Sequence, residues 1–401
     1  MPRSTVVRPE EIRRHNLSQV LHQIHVHGAM SRAELTASLG LNRSTIGDLV
    51  ADLVRRGMVD EHVPAAGVDR AGGDKAGRPS HMVAPRRDGP YVLAVEVEVE
   101  RMVSAAVGLG GRIHVRRETP LASPSSPSGA LTQIARDARW LAARMPVDAR
   151  LVGVGVSVPG TVRRTDGMVV HAPNLGWRNV PFGARLRRRL GDSVSVRIGN
   201  NANLGALAEH QRGAARQLRD VVYVTGGVGV GGGVIVDGAE VLGAGGYAGE
   251  IGHIMLDPNG PPCHCGSNGC VETSLGEHAM LRAAGHTGPP GSAAVAAVLA
   301  SAAEGCEPAA AAVAAQGVVL ARLLGILVNV FNPEAIIVGD TMEQILRIER
   351  TAVEAEIGRR SKAESRAALL LLTPGLGRDS ALIGASELAF QHVVAGIATG
   401  D

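Results

Sequence analysis

Apolar positions in the first part of the chain fall at helical spacing. Leu17, Val20, Leu21 and Ile24 stand at i, i+3, i+4 and i+7, which predicts one buried helix face, and Gly28 is placed to stop that helix. Ser31 followed by Glu34 is a capping box opening a second, short helix with Leu35 and Leu39 inward and Gly40 at its end. Asn42 is an N-cap for a third helix, whose stripe is Ile46, Leu49, Val50, Leu53 and Val54, with Gly57 as its stop. Two short helices joined by a tight glycine turn read as a helix-turn-helix. The opening residues of its second helix, Arg43, Ser44 and Thr45, are then candidates for contact with base edges or phosphates. A strand at Met58 and Val59 leads into a polar, glycine-rich segment, residues 65–80, that carries Lys75 and Arg78. This is the pattern of a wing whose cationic tip enters a minor groove; a solvated linker is the competing reading. His15, His22, His25 and His27 share no spacing with cysteine or acidic ligands and read as surface residues.

From residue 91 the period changes. YVLAVEVEV alternates strictly over 91–99, a second strand covers 103–109, Gly110 and Gly111 turn the chain, and 113–117 returns. A helix near 130–145, a buried strand at 151–158, a strand at 196–198 and a helix from Ala202 follow. The same order recurs after Val221, with a strand at 335–338 and a last helix from about Ser380. Strands alternating with helices predict an α/β fold.

The chain has 401 residues, long enough for two or three domains. Apolar content is 45%, but only eight residues are aromatic, so the core must be built from Val, Leu, Ile and Ala. Residues 1–87 hold 13 Lys and Arg against 9 Asp and Glu, and the remainder 28 against 29. The positive balance therefore sits with the helix-turn-helix, as nucleic-acid contact requires. Residues 318–331 are interrupted by Arg322 and Asn329, short of the roughly 18 apolar residues of a membrane span. The N-terminal residues lack the apolar segment of a signal peptide. These features predict a cytoplasmic protein with no membrane partner. Cys306 stands alone in an alanine-rich stretch and reads as a small buried residue.

The other three cysteines, Cys263, Cys265 and Cys270, cluster in residues 245–272 with His253. Three thiolates and an imidazole are a closed tetrahedral set for structural zinc, Zn2+; a disulfide fits less well with a reducing compartment. Glu250 and Glu272 flank this set, so a metal would fix a loop offering carboxylates and an imidazole to the hydroxyls of a polyol. The pattern GxxGxxGExGH followed by CxCGxxGCxE, with the run TGGVGVGGG at 225–233 before it, resembles the ROK family of sugar kinases and sugar-responsive repressors.

The resemblance covers about residues 88–401. It implies an N-terminal winged helix-turn-helix, residues 1–87, followed by a two-lobed actin/hexokinase-like domain, residues 88–401. Lobe I would be about 88–200 plus 379–401, and lobe II about 201–378. It implies sugar contacts at Asn200, Asn201, Glu250, His253 and Glu272, with Asn174 as an addition. The kinases of the family carry DxGGT where this chain has Glu96, Val97, Glu98, Val99 and Glu100, three carboxylates that share one face while the strand persists. Val228 stands in place of a threonine, Asp340 in place of a glycine, and Asn201 in place of the aspartate base. A carboxamide is no general base near neutral pH. No catalytic residue is therefore expected. The expectation is a sugar-responsive transcriptional regulator, a repressor, with operator DNA and a sugar effector as partners, assembled as a homodimer or homotetramer. The alternatives are an ATP-dependent sugar kinase that kept a DNA-binding head, and a constitutive DNA-binding or scaffold protein whose sugar site is vestigial.

Overall fold

The structure, a computed structural model, describes residues 8–63, 80–121, 126–191 and 194–399. Three helices come first, α1 (Pro9–His27), α2 (Arg32–Leu39) and α3 (Arg43–Arg55), with the short strands β1 (Met30–Ser31), β2 (Val59–His62) and β3 (Met82–Pro85). The caps are as the sequence predicts. The Ser31 hydroxyl accepts from the Glu34 N–H while the Glu34 carboxylate accepts from the Ser31 N–H. Gly40 ends α2 in the left-handed conformation at φ 65°, and the Asn42 side chain accepts from the Thr45 N–H at 2.8 Å. β3 pairs with both β1 and β2, giving the three-stranded sheet of a winged helix. Lys75 and Arg78, the expected wing-tip cations, lie outside the described residues. The stripe of α3 is narrower than expected: Ile46, Leu49, Val50 and Leu53 are buried, but Val54 is 36% exposed because it turns past the edge of that face.

Two five-stranded sheets follow, built alike. The first comprises β4 (Tyr91–Val97), β5 (Arg101–Gly108), β6 (Ile113–Pro120), β7 (Leu151–Val158) and β11 (Val196–Asn200), in spatial order β11-β7-β4-β5-β6. Helix α4 (Pro127–Ala142) intervenes in sequence, as does a small sheet of β8 (Thr161–Arg163), β9 (Met168–Ala172) and β10 (Trp177–Val180), followed by helix α5 (Phe182–Leu190). Helix α6 (Asn201–Gln211) leads to the second sheet: β12 (Val221–Gly226), β13 (Val230–Val236), β14 (Ala239–Glu240), β15 (Ala335–Asp340) and β16 (Leu370–Leu372), in order β14-β13-β12-β15-β16. In each, the first strand is central, an antiparallel meander lies on one side and two parallel strands on the other. This repeated topology is the two-lobed arrangement.

Helices α7 (Val271–Ser274), α8 (Glu277–Ala283), α9 (Ser292–Ala303), α10 (Ala309–Phe331), α11 (Thr341–Arg360) and α12 (Ala363–Arg366) belong to the second sheet's side, and α13 (Ser380–Thr399) returns to the first. α10 and α13 are long and apolar enough to cross a membrane by length and composition. Here Leu320, Leu324 and Val328 of α10 are buried in the core of the second lobe, and Leu382, Leu388 and Phe390 of α13 in the first.

The three N-terminal helices share a core with the first lobe. Leu17, Val20, Leu21 and Ile24 of α1 form one cluster with Leu388, Ala389 and Phe390 of α13. This overturns the surface reading of His25, which is 3% exposed. Its Nδ1 accepts from the Gly110 N–H at 3.1 Å, its Nε2 lies 2.8 Å from a Glu387 oxygen, and its ring packs on Phe390. His22 is half-buried beside it, and burial lowers its pKa. Helical spacing marks which face of α1 is apolar. It does not reveal that a polar residue on that face has its partner, Glu387, 362 residues away.

Candidate functional site

A narrow cleft opens between the lobes, lined by Thr161 and Val162, by Asn200 and Asn203, by Gly231 and Gly232, and by residues 246–250. Each wall has a local cause. β11 ends at Asn200, which caps α6: its Oδ1 accepts from the N–H groups of Ala202 and Asn203, and its Nδ2 donates to the Gly160 carbonyl at 2.9 Å. Asn200 is thereby occupied in holding two elements together. Asn201, the first residue of α6, is half-buried. Asn203 lines the cleft and was missed by motif transfer, although it closes the Asn200, Asn201, Ala202, Asn203 run.

Gly249 (φ 94°) lets the chain run so close to β13 that a Cβ there would fall 2.4 Å from the Gly232 carbonyl oxygen. That approach delivers Glu250 to the cleft, where it accepts a hydrogen bond from the Thr161 hydroxyl of lobe I at 3.2 Å. His253 follows on a single helical turn, with Nε2 4.0 Å from Glu250. Its Nδ1 lies 3.6 Å from the Cys263 sulfur and 3.6 Å from Glu272. Glu272 and Asn174 converge from opposite lobes: a Cβ at Gly229 would meet Glu272 Oε2 at 3.5 Å and Asn174 Nδ2 at 3.6 Å. The structure thus brings Asn174, Asn200, Glu250, His253 and Glu272 to one region, with Asn201 next to Asn200 in the chain. It adds His264, whose Nδ1 is 3.0 Å from Glu272, and His171, whose ring is 6.0 Å from that of His264.

His253, Cys263, Cys265 and Cys270 place one ligand atom each within 4.8 Å of one another. All four cysteines of the chain are free thiols, and Cys306 is exposed, not buried as expected. Burial pushes the Cys263 and Cys270 thiols up, while the Ser267 backbone N–H pulls Cys265 down. A cation that takes up the thiolate charge would remove the burial penalty, and three sulfurs with one nitrogen suit zinc. If the metal takes Nδ1 of His253, Nε2 remains directed to Glu250 and the cleft.

The region where the kinase motifs would hold phosphates is different in kind. β4 ends at Val97 and the chain turns, with the Glu98 N–H donating to the Arg101 carbonyl. The three glutamates therefore do not share one face, contrary to expectation. Glu98 pairs with Arg101, Glu100 is exposed, and only Glu96 stays on the strand. Burial, then Glu98 and Asp340, push the Glu96 carboxyl well above its usual range. Asp340, at the exposed end of β15, accepts from the Thr225 hydroxyl, and partial desolvation of its carboxyl raises its pKa also.

Arg43, Ser44 and Thr45 are exposed or half-exposed at the start of α3. The Ser44 hydroxyl donates to Asn42 Oδ1 at 2.7 Å, so it shares the cap.

Comparison with known proteins matches these features. The xylose repressor of Bacillus spizizenii is 28% identical over 402 residues, covering 95% of this chain and 96% of that protein. A solved ROK family transcriptional regulator, described as a homolog of the Escherichia coli MLC protein, superposes with a TM-score of 0.78 at 24% identity, covering 97% of this chain and 98% of its own. A Streptomyces griseus ROK glucokinase, solved with glucose and AMPPNP, superposes at 0.63 with 27% identity, covering 75% of this chain and 99% of its own. The sequence pattern of the ROK family matches residues 92–392. The chain belongs to the ROK family.

Proposed function

We propose that the protein is a sugar-responsive DNA-binding transcriptional repressor of carbohydrate-utilisation genes, with xylose the first sugar to test. The observation that carries this is the combination of a three-helix, three-stranded N-terminal head, in a chain that matches a xylose repressor over 95% of its length, with an asparagine, Asn201, where the kinases of the family carry their base. Residues 1–87 act as the DNA-binding head and 88–401 as the sugar-binding domain. Arg43, Ser44 and Thr45, with Lys75 and Arg78 in the wing, contact operator DNA. Asn174, Asn200, Asn201, Glu250, His253 and Glu272 surround the sugar, and zinc on His253, Cys263, Cys265 and Cys270 fixes the loop between. The protein works in the cytoplasm as a homodimer or homotetramer whose heads read two half-sites. Sugar alters DNA affinity only through its different affinity for the two states of the protein.

The test is fluorescence anisotropy with DNA from upstream of the protein's own gene, without ligand and with D-xylose, D-glucose or N-acetyl-D-glucosamine. A sugar-dependent shift of about tenfold, equivalent to about 1.4 kcal/mol of coupling, is expected. Arg43→Ala should weaken DNA binding and leave sugar binding unchanged, and Glu250→Ala should do the reverse. Phosphate transfer from ATP to one of these sugars, with no DNA response, would overturn the reading in favour of a kinase.

A further inference from the structure

One helix runs from the sugar cleft to the DNA-binding head. α6 begins between Asn200 and Asn203, where both lobes line the cleft, and ends at Arg212. Its 11 residues span about 16 Å. At the far end the Arg212 guanidinium joins three separate elements. It donates to the Glu387 carboxylate of α13, to the Gly110 carbonyl in the β5–β6 turn at 3.0 Å, and to the His25 carbonyl of α1 at 3.0 Å. His25 closes the cluster through Glu387 and the Gly110 N–H. The His25 Nε2 lies 2.8 Å from both a Glu387 oxygen and an Arg212 guanidinium nitrogen, so the three side chains form one closed cluster. Pro85, where β3 hands the chain to the first lobe, also packs against Gly110.

Between its ends α6 has little freedom to slip. A Cβ at Gly384 of α13 would come 2.0 Å from the Leu204 carbonyl oxygen, and one at Gly233 of β13 would come 2.6 Å from that of Ala202. The Tyr223 ring sits equally close over Gly205. Backbone packed on backbone transmits displacement, because no soft side chain lies between to absorb it. β13 belongs to the second lobe and lines the cleft, so movement of that lobe around a sugar must reach the first turns of α6.

We propose that α6 is the transmission rod of the sugar response, and that Arg212, Glu387 and His25 are the clamp by which its movement reorients the DNA-binding head. This rests on the sugar-responsive regulator reading above. The apolar contact of α1 with α13 holds the head to the lobe, and a planar guanidinium fork fixes its angle. Arg212 is a positioning residue: it touches neither sugar nor DNA, yet α1 of the head meets α13 and the β5–β6 turn of the first lobe at its side chain.

The test uses the full-length protein as wild type, as Arg212→Lys, which keeps the charge but loses the fork, and as the double variant Arg212→Met/Glu387→Gln, which leaves no unpaired buried charge. Sugar affinity is read by calorimetry with D-xylose, D-glucose and N-acetyl-D-glucosamine, and DNA affinity by anisotropy with and without each. In both variants sugar affinity is expected to stay within about twofold of wild type, while the sugar-dependent change in DNA affinity falls from about tenfold to below about threefold. A variant that binds sugar and keeps the full wild-type response overturns the clamp. If wild type binds DNA but answers to no sugar, the regulator reading fails on its own. The clamp is then decided by amide exchange without sugar. Faster exchange at residues 201–206 in the double variant supports transmission along α6; a change confined to α1 and α13 overturns it.

Discussion

Asp340 holds a backbone conformation at odds with its side chain. Its backbone keeps φ 54° and ψ −136°, a conformation that favours glycine, at a position where kinases of the family carry one. Holding a side chain there costs about 1–3 kcal/mol, and at the exposed end of β15 it buries little surface in return. Against this stand the Thr225 hydrogen bond, worth about 1 kcal/mol, and the extra chain entropy of glycine when unfolded, about 0.4–1 kcal/mol. Asp340→Gly is therefore expected to raise the melting temperature modestly at neutral pH. The gain should shrink in acid, because the pKa of Asp340 is raised in the folded protein and protonation relieves part of its penalty. Thermal unfolding of Asp340→Gly beside Asp340→Asn separates backbone from charge; a glycine variant less stable than wild type at neutral pH rejects the strain account. The substitution itself was legible in the sequence, since the matching motif ends in glycine. The retained backbone conformation was not, because φ follows from the surrounding sheet.

At the scale of elements, caps and periodicity were readable wherever they are local. Ser31 with Glu34, and Asn42 with Thr45, lie three residues apart, so the chain itself supplies both partners. Alternation located β4 but not its end, because the Glu98 turn depends on pairing with Arg101. The loop of residues 254–270 has almost no regular structure: its ties are isolated bridges from Met255 to Cys270 and from Pro262 to Asn268. Such a segment has little apolar burial of its own, so a metal held by His253, Cys263, Cys265 and Cys270 would supply much of its order. Metal analysis of the purified protein is expected to find one zinc per chain, and Cys270→Ser to lose it. Removal should speed proteolysis within 254–270 and weaken sugar binding, because Glu272 and His253 are positioned from this loop. A metal-free protein with unchanged protease resistance and sugar affinity would contradict that role.

Across the whole molecule, charge divides with the architecture. Residues 1–200 carry 29 Lys and Arg against 18 Asp and Glu, or +11, and residues 201–401 carry 12 against 20, or −8. The basic excess thus extends beyond the N-terminal helices into the first lobe, so the half of the chain that bears the head draws polyanions and the other half repels them. The joint between head and lobe is itself ionic, and its pH dependence has a definite sign. Burial alone would raise the Glu387 carboxyl, but His25 and Arg212 outweigh it and hold its pKa down to about 2. In the unfolded chain a glutamate returns to about 4.3. The unfolded state then binds the proton more readily, so this group's contribution, on the order of 3 kcal/mol, is complete above about pH 5 and is lost as pH falls toward 2. Glu96 and Asp340 act in the opposite sense, since their raised pKa values make acid relieve a penalty. Wild-type stability is expected to decline between about pH 5 and pH 3. Glu387→Gln should be less stable at pH 7, because Arg212 loses its buried counter-charge, and its decline in acid should be shallower than that of wild type. Chemical denaturation of the two proteins across this range decides the matter: parallel curves would mean that Glu387 titrates alike in both states and that the ionic joint does not hold the head.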